Sequence, residues 1–257
     1  MNIQSILKLT ARLKGNEAEL YSYMVHSFIR EVVDFDSYDA DAILYDDYLD
    51  GLLGNISEDL GPDIANHLVA NAVEFVITNS YPMPGQKNLW NCVEHLLVKH
   101  KKVITPEDQA YLQGLNNSYM SIYEVLDVTP GHSVTLREMI GINNPSIIVN
   151  EILGSQGLRK KNVIGARIVN IDEECLFSSA ALPLPRNLAK GTIGNINFIM
   201  QMMMQHTGLR AETKAMGISD KEFELQNKKL WAKEIVEGWF LQHAHSSRDK
   251  NSIIIGA

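Results

Sequence analysis

Apolar residues recur at helical spacing over the first part of the chain, then alternate in short runs over its middle, then return to helical spacing. Up to about residue 118 the period predicts five or six helices. Asn16-Glu17-Ala18-Glu19 resembles a capping box, and Leu20, Met24, Phe28 and Val32 follow along one stripe. Gly61-Pro62 opens a second helix with proline at the first helical position, and Ile64, Leu68, Ala72 and Phe75 form its apolar face. Tyr81-Pro82-Met83-Pro84-Gly85 stops it, because two prolines and a glycine cannot continue a helix. Leu89, Val93, Leu96 and Leu97 mark the next. Thr105-Pro106-Glu107-Asp108 starts another with a cap, a proline and two acids at the positive end of the helix dipole.

Near residue 119 aromatic and β-branched residues take over. Residues 118–128 predict a strand ending at the turn Thr129-Pro130-Gly131. Val134–Ile140 and Ile147–Ile152 follow, separated by the Gly141–Pro145 turn. Gly154-Ser155-Gln156-Gly157 and the basic turn Arg159-Lys160-Lys161-Asn162 lead to Val163–Ile171. Asp172-Glu173-Glu174 is a hairpin turn before Cys175–Leu184, taken as a fifth strand. Helical texture then returns over Asn187–Met204. A second capping box, Ser219-Asp220-Lys221-Glu222, opens a helix expected to reach about Gln242. The fold class is therefore α+β. A helical N-terminal domain (1–118) precedes a small antiparallel five-stranded barrel-like module (119–184), and C-terminal helices (185–257) pack on one or both.

Charge changes the picture of partners. The chain of 257 residues carries a net −8, with 45% apolar and 21% charged residues. Residues 1–118 hold 17 acids against 8 bases, whereas 185–257 hold 7 against 10. The acidic first half disfavours a general nucleic-acid binder, since polyphosphate is repelled by it. Two cysteines, Cys92 and Cys175, build neither a disulfide framework nor a four-ligand zinc site, and fit reduced, buried thiols in the cytoplasm. Met1–Leu13 lacks the apolar run of a secretory signal, and no segment has the roughly 18 uninterrupted apolar residues of a membrane span.

Candidate chemistry is sparse. Asp34, Asp36, Asp39, Asp41, Asp46, Asp47 and Asp50 suggest calcium, but the sixth loop position is Asp39 instead of glycine and the twelfth is Tyr45 instead of glutamate. A solvated helix face with its preceding loop fits them better. Cys92 and His95 share a helix face, while His100 lies about 140° round from His95. His243 and His245, at a helix end, complement the dipole. There is no nucleophile elbow and no glycine-rich phosphate loop. Arg159, Lys160 and Lys161, with Tyr119, Tyr123 and Phe177 as stacking surfaces and Lys228, Lys229 and Lys233 on the last helices, form a possible nucleic-acid contact. The alternative is that the aromatics fill the barrel. Met200, Met203 and Met204, with Met202, offer an adaptable partner surface or core filling.

The pattern Tyr123-Glu124-Val125, Pro130-Gly131, Leu136-Arg137-Glu138 and Ala166-Arg167-Ile168 resembles uncharacterised bacterial proteins that often end in a cysteine-rich SEC-C zinc tail. The resemblance spans residues 105–184 and implies helices followed by a barrel. It assigns no catalytic residue. The chain has no Cys-x-Cys or paired Cys/His tail, so the zinc and the partner binding credited to that tail do not carry over. The expectation is a non-enzymatic interaction or adaptor protein with a protein partner, self-association included, and with no cofactor, no metal site and no membrane. The rivals are a nucleic-acid-associated protein and a hydrolase using the Asp34–Asp50 carboxylates.

Overall fold

The computed structural model describes residues 71, 74–75, 78–81, 90–99, 105–141, 143–152, 154–178, 181–205, 214–215 and 217–239. The first capping box, the Gly61-Pro62 start, the Asp34–Asp50 stretch, His100 and His243-His245 lie outside these residues, as do the side chains of Cys92 and His95.

Helical residues 74, 75 and 78 lead into β1 (Ser80–Tyr81), which pairs antiparallel with β2 (Trp90–Asn91). Helix α1 (Cys92–Lys99) and helix α2 (Pro106–Asn116) follow, the latter starting at the proline its sequence marks. The sheet then forms from β3 (Met120–Thr129), β4 (Ser133–Glu138), β5 (Ser146–Asn150), β6 (Val163–Ile171) and β7 (Glu174–Phe177), with the short α3 (Gly154–Gly157) before β6. Strand order is β5-β4-β3-β6-β7, all antiparallel, and β8 (Leu182–Pro183) adds to β6. The end strands β5 and β7 meet again, so five strands curl into a nearly closed barrel. A bulge between Val125 and Asp127 supplies part of that curl.

Register separates the two faces. Tyr123, Val125, Val134, Leu136, Val149, Ile164, Ala166 and Ile168 fill the barrel. On β4 and β5 the alternate residues face solvent, but β6 is buried on both faces over Val163–Val169. Its outer face lies under helices. A Cβ on Gly114 of α2 would stand 2.7 Å from the Asn170 carbonyl oxygen, and one on Gly165 would stand 2.5 Å from Ile235. Both glycines are there because helix and sheet backbones approach too closely for a side chain.

Helix α4 (Arg186–Gln205) and helix α5 (Asp220–Lys229) complete the described elements, followed by helical residues 231–239. Ser219 caps α5 by accepting the Glu222 N–H at 3.2 Å, as its capping box predicts. Two expectations need correction. The strand expected over Cys175–Leu184 breaks after Phe177, where the Ser178 hydroxyl turns away to the Glu74 carboxylate at 3.0 Å. The helix expected to run unbroken to Gln242 is interrupted at Leu230, whose N–H reaches the Asn227 carbonyl at 3.2 Å, a tighter three-residue turn. No helix among the described residues is long and apolar enough to cross a membrane.

Candidate functional site

Strand alternation puts Val134, Leu136 and Glu138 on the same face of β4, so the rhythm that builds the core also carries a carboxylate into the barrel mouth. Tyr123 stands directly opposite Glu138 in the register, while their outward neighbours Glu124 and Arg137 form a 2.8 Å ion pair. The Ser121 hydroxyl donates to Glu138 Oε1 at 2.6 Å, and the Tyr119 hydroxyl donates weakly to Oε2 at 3.4 Å. Asn144 in the β4–β5 loop donates to the carbonyls of Ile140 (2.7 Å) and Glu138 (3.2 Å), fixing that loop beside the mouth.

These groups enclose a cavity of about 200 Å³, with Ile147 and Ile168 as apolar walls and Asn170 on the rim. Tyr123 is only 5% exposed, and its hydroxyl makes no hydrogen bond among the described residues. Burial and the Glu138 carboxylate raise the pKa of both Tyr119 and Tyr123, so both hydroxyls stay protonated. Behind the mouth, Trp231 meets Tyr119 edge-on at 5.4 Å, and the Lys228 ammonium lies 5.1 Å from the Tyr119 ring centre.

Cys175 also stands near, but it is partly exposed and not the buried thiol expected. Its Sγ donates to Asn170 Oδ1 at 3.0 Å, and burial pushes its thiol up from the ordinary value. A protonated thiol is a poor nucleophile. Among the described residues, no three His, Cys, Asp or Glu side chains converge as a metal site.

The basic residues singled out in the sequence do not come together here. Arg159 and Lys160 border an open cavity of about 440 Å³ at the opposite end of the barrel, shared with Asp127. Arg159 is folded onto its own backbone, donating to the Gln156 and Leu158 carbonyls at 2.8 Å each. Lys161 takes a left-handed turn conformation (φ 73°), and its carbonyl accepts from Arg186 at 3.1 Å. Lys228 is occupied by Glu224 at 2.8 Å and by the aromatic pair. Lys229 is a correction: it is 1% exposed and presents nothing to a phosphate. Tyr123 lies in the barrel core and Phe177 packs against it, the filling role that was the alternative to stacking. Met200 and Met203 are half-buried, the Met204 side chain lies outside the described residues, and Phe198 (64% exposed), Ile199 and Met202 (53%) form the apolar face of α4 instead.

Lys229 belongs to a second polar cluster, between the outer face of β6 and the helices. Its ammonium donates to the Thr78 carbonyl, with Asn116 Oδ1 3.4 Å away. Asn91 donates to the carbonyls of Thr78 and Asn79, both at 3.1 Å, and to Asn116 at 2.9 Å. Next to it, buried Arg167 pairs with buried Glu74 at 3.4 Å and donates to the Ser118 carbonyl at 3.1 Å. Burial and the Arg167 charge lower the Lys229 pKa from 10.5 to about 7.

A sequence model for a family of unknown function, DUF7986, matches residues 73–216, more than half of the chain. The chain belongs to DUF7986. The matched stretch holds the whole barrel, the Glu74–Arg167 pair and the Glu138 mouth, and ends before Trp231 and Lys229. Comparison with curated proteins and with solved structures finds no match.

Proposed function

We propose that this DUF7986 protein is a non-enzymatic binding module whose site is the Glu138 mouth of the barrel. One observation carries this reading: a half-open cavity in the barrel mouth is lined by a carboxylate with spare acceptor capacity and by a tyrosine whose hydroxyl makes no hydrogen bond among the described residues. A concave, partly apolar cavity with a few converging polar groups is the usual form of a small-ligand site. Binding is favoured over catalysis because the nearby hydroxyls and thiol are all held protonated, and Ser121 is committed to Glu138. Its proposed setting is the cytoplasm, where Cys175 stays reduced.

A screen by backbone NMR tests it. Small ligands shifting the amides of Tyr123, Glu138, Asn144 and Asn170 are expected; ligands that shift only other regions would sink the reading.

A second reading has its own observation. Phe198, Ile199 and Met202 face outward from α4, whose opposite side (Ala189, Thr192, Ile196) is buried. An apolar stripe of this kind suits a protein partner or a second copy. Sedimentation of the wild type and of Phe198→Glu/Met202→Glu checks it: identical profiles across concentration exclude self-association through this face. The nucleic-acid reading keeps the Arg159–Lys161 turn, with Arg159 folded onto its own backbone, and salt-dependent binding that vanishes on removal of these cations would be needed to revive it.

A further inference from the structure

We infer that the Glu138 mouth binds the primary ammonium group of a small amine. The inference rests on the binding-module reading above and gives its ligand a chemical class.

Charge comes first. Among the described residues, Glu138 is the lone carboxylate lining the cavity, and no lysine, arginine or histidine lines it. An anionic ligand would meet the Glu138 charge in a half-enclosed space, where repulsion is screened less than in water. A neutral ligand would leave that charge without a counter-ion.

Hydrogen-bonding capacity points the same way. A carboxylate has about four acceptor positions, and Glu138 receives a strong bond from Ser121 and a long one from Tyr119. Tyr123 adds a hydroxyl oxygen. Asn144 spends its amide nitrogen on Ile140 and Glu138, which leaves its side-chain carbonyl uncommitted among the described residues. The mouth is therefore rich in acceptors, and an ammonium group brings three donors and no acceptor. Guanidinium is also a donor, but its planar fork favours a bidentate carboxylate with both oxygens open, and Ser121 already holds Oε1.

Size and walls set the rest of the ligand. About 200 Å³ is below the usual range for drug-sized ligands, roughly 300–1,000 Å³. Ile147 and Ile168 offer apolar contact to a short aliphatic body.

The test is a titration of the full chain, followed by ¹H–¹⁵N NMR at pH 7, with n-butylammonium, 1-butanol and butyrate as matched probes. Saturable shifts around Glu138, Asn144 and Asn170 are expected with the amine, and much weaker ones with the other two. Glu138→Gln should weaken the amine about tenfold or more while leaving amides outside the mouth in place. Tyr123→Phe should weaken it by a smaller factor and serves as the second variant if Glu138→Gln does not fold. Should butanol or butyrate bind as well as the amine, or should neither variant change the amine affinity, the ammonium inference falls while the pocket reading stands. If no probe shifts any residue of the mouth, both fall.

Discussion

Two sets of polar groups in this molecule make opposite use of the fold. Between sheet and helices, Glu74, Arg167, Ser118 and Ser178 form one hydrogen-bonded group, and Lys229, Asn91, Asn116 and the Thr78 carbonyl form another beside it. Segments as distant as residues 74 and 178 are tied there by complementary charge and donors. At the barrel mouth, a carboxylate and a tyrosine hydroxyl are equally built into the fold yet face a cavity. A satisfied buried network makes structure depend on its members, whereas polar groups that open into a cavity are removed at less cost to the fold.

Removing one member of the satisfied set should therefore cost most. Arg167→Met leaves the Glu74 carboxylate buried without its cation, and a loss of about 3–5 kcal/mol is expected in urea denaturation. Glu74→Leu combined with Arg167→Met should recover a large part of it, because both desolvated charges are then gone. A single variant that costs no more than an ordinary surface change would erase the contrast between the two regions.

Lys229 makes the contrast depend on pH. The unfolded chain holds this proton up to about 10.5, while the folded chain releases it near 7. Between those values the unfolded state binds more protons, so stability rises as pH increases from about 7 towards 10. The penalty for burying the charge is fully present below that window. The rise, on the order of a few kcal/mol at most, should vanish in Lys229→Met when the two pH profiles are subtracted. Parallel profiles would mean that the ammonium is solvated in the folded protein.

How much of this was legible beforehand follows from the range of the forces involved. Thr105-Pro106, Ser219–Glu222 and the turns at Pro130-Gly131 and Asp172 are local signals, and helices and strands begin and end close to them. The break at Leu230 carries no glycine or proline. It lies between buried Lys229 and buried Trp231, so what fixes the chain there is tertiary contact that no neighbouring residue announces. Glu138 has a readable signal, an acid at the third inward position of β4 after Val134 and Leu136, although it stands outside any run of charge. Glu74 and Arg167 had none, since 93 positions separate partners that only the fold brings together.

The close approach of α2 and of the 231–239 helix to β6 supports both regions and predicts a middle-sized effect. Gly165→Ala would drive a methyl into Ile235, Met120 and Leu184, and Gly114→Ala would meet the Asn170 carbonyl. Each is expected to destabilise by roughly 1–3 kcal/mol in denaturant titration. Gly114→Ala acts beside Asn170 on the rim, so it should also disturb ligand-induced shifts at the mouth, which Gly165→Ala should not.

The smallest effect is the sharpest test of the comparison. Tyr123→Phe removes a hydroxyl that bonds to nothing described, while its ring goes on filling the core among Val125, Leu136 and Ile164. Deleting a satisfied buried hydroxyl typically costs about 1 kcal/mol, but deleting this one should change stability by less than about 0.5 kcal/mol in either direction. Urea midpoints of wild type and variant, without ligand, give the number. A clear loss would mean that the hydroxyl has a structural partner and the mouth is part of the scaffold. Equal stability with weakened amine binding would mean that the chain keeps this polar atom in its core for what enters from outside.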